Sequence, residues 1–283
     1  MRLVTFQSND RTTSIGVVVG DELIHLDAAA FPDMTTFLRG GSAALGEARK
    51  LERGEIPPPK KSSLGQIKLL APVTRPGKII AVGLNYRDHA LETRQEIPAS
   101  PVIFSKFPTS INGPDGRVVL PAGDPQCDYE AELAVVIGTQ AKGISEYEAM
   151  NCVAGYMPLN DVSARRWQFA EKQWVRGKSC DTFCPTGPWL TTRDAVPDPH
   201  ALKIQMRVNG AVVQNSNTSN LIFKIPMLIA FISAAITLEP GDIIATGTPD
   251  GVGVFRKPAV FLKAGDVMEV EIEGLGVLRN RVV

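Results

Sequence analysis

The stretch Asp128-Tyr129-Glu130-Ala131-Glu132-Leu133 opens a run, DYEAELAVVIG, that reads as a β-strand ending at Gly138. Side chains alternate faces along a strand, so Glu130 and Glu132 point the same way. Two anions side by side repel unless both are solvated or a cation sits between them. The run LAVVI that follows is apolar on both faces, which speaks for burial and for the cation. The competing reading is a pair of surface carboxylates on an edge strand. A third carboxylate, Asp161, follows an apolar stretch in GYMPLND. Three carboxylates without a histidine suit Mg²⁺ or Mn²⁺, with Ca²⁺ as a further candidate. Such an ion takes about six oxygen ligands, so positions remain for water or a chelating substrate. Asp161 also suits the N-cap of a helix from Val162, and the two roles are compatible.

Asp88-His89-Ala90-Leu91-Glu92 sets His89 and Glu92 three residues apart, neighbours on one face if the segment is helical. A carboxylate against an imidazole fixes its tautomer and favours the protonated ring, which makes a better general base. The plainer reading is a helix start capped by Asp88 with an ordinary surface pair. Lys178, in Gly177-Lys178-Ser179, suits a substrate carboxylate or a developing oxyanion if it faces the metal, and is otherwise a solvated lysine. The loop Ala245-Thr246-Gly247-Thr248-Pro249-Asp250-Gly251-Val252-Gly253 lacks both the Gly-Lys-Ser/Thr of a phosphate loop and the G-x-G-x-x-G of a dinucleotide fold. Nucleotide binding is rejected, and its glycines are read as allowing tight turns and close backbone approach.

The elements that must position these groups are mostly strands. Short apolar runs at Leu3 to Phe6, Ile15 to Val19 and Glu22 to Leu26, with Gly20-Asp21 between two of them, predict a hairpin. A Gly/Ala-rich helical stretch from about Met34 to Leu51 and a proline-rich linker, GEIPPPKKSS, follow. A boundary near Ala71-Pro72 divides a small β-rich cap, residues 1–71, from a catalytic part, residues 72–283. Beyond it, a buried strand running into a turn is expected at KIIAVGLNY, and further strands at Pro101 to Phe104, Val118 to Leu120, Lys203 to Val208, Val212 to Gln214, Asp242 to Thr246 and Asp266 to Ile272. Helices are expected at YRDHALET, Glu146 to Asn151, Ala164 to Gln173 and Pro226 to Ile236. Strands outnumber helices, which favours an α+β class with a large mixed or antiparallel sheet.

The 283 residues carry 30 basic and 30 acidic side chains, a formal charge of zero, without the basic surplus that nucleic-acid binding needs. The longest apolar stretch, Met227 to Leu238, is too short to span a membrane, and the start MRLVTFQSND has no apolar signal core. The four cysteines form no C-x-x-C pair and read as free thiols in a reducing compartment, which places the protein in the cytoplasm. With three histidines, a His-rich zinc site is close to excluded.

Taken together, AVGLNYRDHALE, PVIFSKFPTSINGP, DYEAELAVVIG, NDVSARRWQ, GKSCDTFCPTGP, QNSNTSNLIF, GDIIATGTPDGVG and LKAGDVMEVEIEGLG occur in the order of the fumarylacetoacetate hydrolase family, which residues 72–283 resemble. The ending GVGVFRKPAVFLKAGD resembles the branch linked to oxaloacetate tautomerisation. The resemblance implies a β-rich roll of mixed sheets with flanking helices, usually a homodimer. It implies Glu130, Glu132 and Asp161 as divalent-metal ligands, His89 and Glu92 as a catalytic dyad, and Lys178 as the active-site lysine. Arg165 and Gln168 match positions near metal and substrate, and Gly247 and Thr248 belong to the loop that contacts substrate. The segment TRQEIPAS after Glu92 corresponds to a mobile lid. The activity expected is metal-dependent hydrolysis of a carbon–carbon bond in a small anionic 2,4-dioxo acid of the acylpyruvate type, passing through an enolate. The alternatives are keto–enol tautomerisation or decarboxylation of oxaloacetate, a small 2-oxo acid, and last a binding protein without activity.

Overall fold

A computed structural model describes residues 1–8 and 11–283. Asn9 and Asp10, at the end of the N-terminal stretch read above for a signal core, lie outside the described residues. The chain forms mixed sheets with a few flanking helices. Among the described residues the largest sheet has 11 strands. Along it lie Lys61–Ser63, Glu22–His25, Thr13–Val19, Arg2–Gln7, Leu190–Thr192, Val153–Asn160, Ala131–Ile137, Ile243–Ala245, Ile79–Gly83 and Val102–Lys106, with Lys68–Leu70 also paired to Arg2–Gln7. The pairing of Ile243–Ala245 with Ile79–Gly83 is parallel, and the other neighbours described run antiparallel. A second, five-stranded sheet runs Ala211–Asn217, Lys203–Val208, Val267–Ile272, Gly276–Val282, Arg117–Val118.

Local chemistry explains most of these elements. The hairpin between Thr13–Val19 and Glu22–His25 turns at Gly20, whose φ of +58° costs a glycine nothing. The helical stretch expected from Met34 to Leu51 is two helices, Met34–Arg39 and Gly41–Glu52. Gly41, at φ +55°, breaks them apart. The expected linker is only partly one. Its last residues, Lys61–Ser63, pair with Glu22–His25 as an edge strand, helped by Ser62 Oγ to His25 Nε2 at 2.8 Å and Lys61 to Glu22 at 2.9 Å. The first strand pairs with Leu190–Thr192, and Met1 and Leu3 pack in one apolar cluster with Ala134, Val136 and Ile243. Residues 1–71 therefore continue the sheet that carries the candidate site.

Sequence patterning missed the strand Val153–Asn160, because it holds Gly155 and Pro158 and shows no alternation. All of its residues are buried. A proline is tolerated there because Pro158 lacks an N–H on the side where Leu190–Thr192 pairs only with Gly155 and Tyr156. Its carbonyl still accepts from Gly187 N at 3.1 Å. Among the described residues no helix is long and apolar enough to cross a membrane. All four cysteines are unpaired, and burial pushes the Cys127 and Cys184 thiols up to about 12.

Candidate active site

The strand Ala131–Ile137 is buried along its whole length, and its partner Val153–Asn160 runs antiparallel with Ala131 opposite Asn160. That register sets Asp161 opposite Glu130, and Asp161 N donates to Glu130 O at 2.9 Å. Residues directly opposite each other share a face, and so do residues two apart. Glu130, Glu132 and Asp161 must therefore converge. Carboxylate oxygens of the three lie within 4.8 Å of one another, and all three residues are buried. The solvated edge pair is thus excluded. Asp161 is no helix cap: the next α-helix, Arg165–Ala170, starts after Ala164, and both Asp161 oxygens bind lysines.

Three cations counter the cluster. Lys178, 2% exposed at the end of the short helix Val175–Lys178, reaches Glu130 Oε2 at 2.7 Å and Asp161 Oδ2 at 2.8 Å. It is not a solvated lysine. Lys106, the last residue of Val102–Lys106, donates to Asp161 Oδ1 at 2.6 Å and also to the carbonyl of Lys178. Arg165 donates from Nε to Asp128 Oδ1 at 2.6 Å, from Nη2 to Glu130 Oε1 at 2.5 Å and from Nη1 to Gln168 Oε1 at 2.8 Å.

The ionisation pattern follows from who has a partner. Burial works to raise the Glu130 carboxyl, but Lys178 and Arg165 outweigh it and hold it at about 2. Burial pushes Asp128 up to about 6 against the pull of Arg165. Glu132 is raised well above the ordinary range by burial and by the charges of Asp161 and Glu130. Among the described residues its Oε2 accepts from Gly247 N alone, at 2.7 Å. Four buried carboxylates thus face three cations, and Glu132 is the one without an ion-pair partner among the described residues. The oxygen-only donor set, its convergence and this shortfall of one positive charge all fit a hard divalent cation, held by Glu130, Glu132 and Asp161. A divalent ion would reverse the negative balance of this cluster of four carboxylates and three cations, which favours an anionic ligand beside it.

His89 and Glu92 lie on the helix Arg87–Thr93, and His89 Nδ1 is 2.9 Å from Glu92 Oε2. Glu92 Oε1 accepts from Gly251 N at 2.9 Å, so the carboxylate is held at both ends. The pair is therefore a fixed dyad and not a free surface pair. Asp88 does not cap the helix, since Tyr86 is the N-cap residue. Asp88 instead accepts from His89 N, from Ser216 Oγ and from Asn220 Nδ2.

A cavity of about 100 Å³ joins these groups. His89, Glu130, Glu132, Arg165, Gln168, Lys178 and Thr248 line it on the polar side, and Phe104, Phe169, Trp174 and Phe255 on the apolar side. Thr93 and Gln95, from the segment expected as a lid, also line it. Gly247, expected at the substrate, does not line it; its N–H is spent on Glu132. At φ +102° and with a Cβ that would meet Asn85 Cβ at 2.8 Å, this position accepts only glycine. A volume this small suits a ligand of a few heavy atoms, well below drug size.

Sequence reasoning assigned no role to Lys106, Asp128 or Gln214. Lys106 shares a strand face with Val102 and Phe104, so its period was visible but a buried charge was not. Gln214 is buried, accepts from Ala131 N at 2.8 Å, and donates to Thr248 Oγ1 at 2.8 Å and Pro249 O at 2.9 Å.

Residues 78–283 match the fumarylacetoacetate (FAA) hydrolase C-terminal family. The chain belongs to that family, and its members among the relatives below are enzymes. It is 48% identical to the mitochondrial oxaloacetate tautomerase Fahd2a of Rattus norvegicus, over all of this chain and 92% of that protein. Among solved structures, it matches the fumarylacetoacetate hydrolase of Exiguobacterium antarcticum with a TM-score of 0.87 and 35% identity, over 100% of this chain and 99% of the other. It matches the maleylpyruvate hydrolase of Sphingobium sp. SYK-6, in complex with manganese(II) and pyruvate, with a TM-score of 0.82 and 35% identity over the same shares.

Proposed function

We propose that the protein is a divalent-metal-dependent tautomerase that interconverts the enol and keto forms of oxaloacetate or a closely similar 2-oxo acid. The observation that carries this reading is the convergence of a buried carboxylate triad and a His–Glu dyad on one cavity of about 100 Å³. The full-length similarity to an oxaloacetate tautomerase supports this reaction over carbon–carbon hydrolysis, the activity first expected.

The ion, Mg²⁺ or Mn²⁺, would supply Lewis-acid polarisation of the substrate's 2-oxo group. The residues do the rest. Glu92 engages His89 Nδ1, which leaves Nε2 as the nitrogen that exchanges a proton with the substrate. In ketonisation Nε2 accepts the enol hydroxyl proton, and the imidazolium so formed returns it to the adjacent carbon, so that His89 ends neutral and no net proton is gained or lost. Negative charge that develops on the substrate oxygen is countered by Lys178, fixed between Glu130 and Asp161. The aromatic side chains give the cavity an apolar wall of low dielectric, which strengthens these charge interactions.

Hydrolysis of an acylpyruvate is the second reading. The same dyad is able to activate a water, and the maleylpyruvate hydrolase named above shares the fold. The two are separated by assaying one preparation with Mg²⁺ for decay of enol-oxaloacetate absorbance and for release of pyruvate from a series of acylpyruvates. Enol decay without cleavage supports the tautomerase, and cleavage without enol decay overturns it. A homodimer and a cytoplasmic location complete the proposal, to be tested by light scattering and cell fractionation.

A further inference from the structure

Gln214 sits on Ala211–Asn217, an edge strand of the five-stranded sheet, yet its side chain bonds Ala131, between two residues of the carboxylate triad, and Thr248 and Pro249 of the loop at the cavity. The orientation of its amide is forced. Ala131 N–H can only donate, so it requires Oε1, at 2.8 Å. Pro249 O can only accept, so it requires Nε2, at 2.9 Å. The remaining Nε2 hydrogen then points to Thr248 Oγ1, at 2.8 Å. A hydroxyl that accepts there keeps its own hydrogen for another partner. Thr248 lines the cavity, and no other bond from its hydroxyl is recorded among the described residues. The contact is well supported: the loop of Thr248 closes onto the same strand at Gly251, whose added Cβ would lie 2.1 Å from Val213 O. Arg256 also donates to Val213 O, at 3.0 Å.

We infer that Gln214 is a positioning residue that polarises Thr248, committing its hydroxyl to donate to a carboxylate or keto oxygen of the bound anion. This rests on the reading that the cavity holds a small oxo acid, but not on which reaction follows. By bonding Ala131, between Glu130 and Glu132, the same amide ties the distance between Thr248 and the carboxylate triad to a single side chain.

The test is a double-mutant cycle read by calorimetric binding of oxalate to the Mg²⁺-loaded protein, with no turnover involved. Thr248→Val should weaken oxalate roughly 10-fold or more, as for loss of a hydrogen bond to a charged group. Gln214→Met should weaken it roughly 5–10-fold with Thr248 present and less than about 2-fold in the Thr248→Val background, because one hydrogen bond is lost in both. Gln214→Glu serves as the second variant. It keeps the acceptor for Ala131 and turns the Thr248 hydroxyl toward itself. Its added charge acts in both backgrounds and cancels in the cycle, so the same coupling should remain. Mg²⁺ affinity should not fall in Gln214→Glu, because no ligand is removed and the added negative charge attracts the cation. Equal losses in both backgrounds would overturn the inference and leave Gln214 a purely structural link. No loss with Thr248→Val would show that the hydroxyl does not meet the anion. Oxalate bound tightly by a protein that turns over no oxo acid would fault the proposed reaction and leave this inference standing.

Discussion

Arg165→Met removes one guanidinium from beneath the site and is expected to be costly in a way that depends on pH. The side chain is 3% exposed and makes three bonds, at 2.6 Å to Asp128, 2.5 Å to Glu130 and 2.8 Å to Gln168. Methionine replaces most of the stem, so packing loss is minor beside the loss of charge. Breaking a buried ion pair by deleting one partner costs about 3–5 kcal/mol. For a chain of this size each kcal/mol moves the melting temperature by about 2–4 °C, so a fall of roughly 6–20 °C is expected. The sign of the pH dependence follows from Asp128, already pushed up to about 6 by burial against the pull of Arg165. Without Arg165 its carboxyl rises further above the unfolded value. The deficit is therefore smallest where Asp128 is protonated in the folded wild type and the folded variant alike, and grows as pH rises through its folded value of about 6, so it should be larger near about pH 8 than near about pH 5. Scanning calorimetry of the metal-free protein at both pH values reads this directly. Adding Asp128→Asn should restore part of the loss. A deficit under about 1 kcal/mol, flat in pH, would refute the charge assignment at Asp128 and Glu130.

Glu132→Gln should lower Mn²⁺ affinity by more than about 100-fold, since even outer partners of metal ligands cost 10–100-fold; stoichiometric Mn²⁺ retained at micromolar concentration would remove Glu132 from the ligand set. His89→Ala should leave Mn²⁺ binding intact and cut turnover roughly 100-fold or more, checked by calorimetry beside steady-state rates. Because burial and its acidic neighbours raise the Glu132 carboxyl, binding of Mg²⁺ should expel a proton and affinity should fall as pH is lowered; calorimetry in two buffers of different ionisation enthalpy will show no proton release if that is wrong.

The shared face of Glu130 and Glu132 was legible because strand alternation is strictly local, and the three-residue spacing of His89 and Glu92 because one helical turn brings them together. Asp161 was visible only as a carboxylate after an apolar run. Its place opposite Glu130 depends on the pairing register of two strands, which local patterning does not encode. Lys106 and Gln214 were invisible for the same reason. Their partners lie 55 and 34 residues away or more, and a lysine or glutamine in a strand looks solvated until the opposite element is placed. The hairpin at Gly20 was readable from its turn chemistry, whereas Val153–Asn160 was hidden by Pro158, whose missing donor is harmless only because its neighbour strand is short.

The buried triad is proposed to support tautomerisation of a 2-oxo acid. The most direct test of this role is the decay of enol-oxaloacetate absorbance in the presence of wild-type protein, the metal-stripped protein and Glu132→Gln. We expect decay well above the buffer rate only with the wild type plus Mg²⁺ or Mn²⁺, restored to the stripped protein by adding the ion. Decay at the buffer rate in every sample, or equal acceleration by Glu132→Gln, would contradict it.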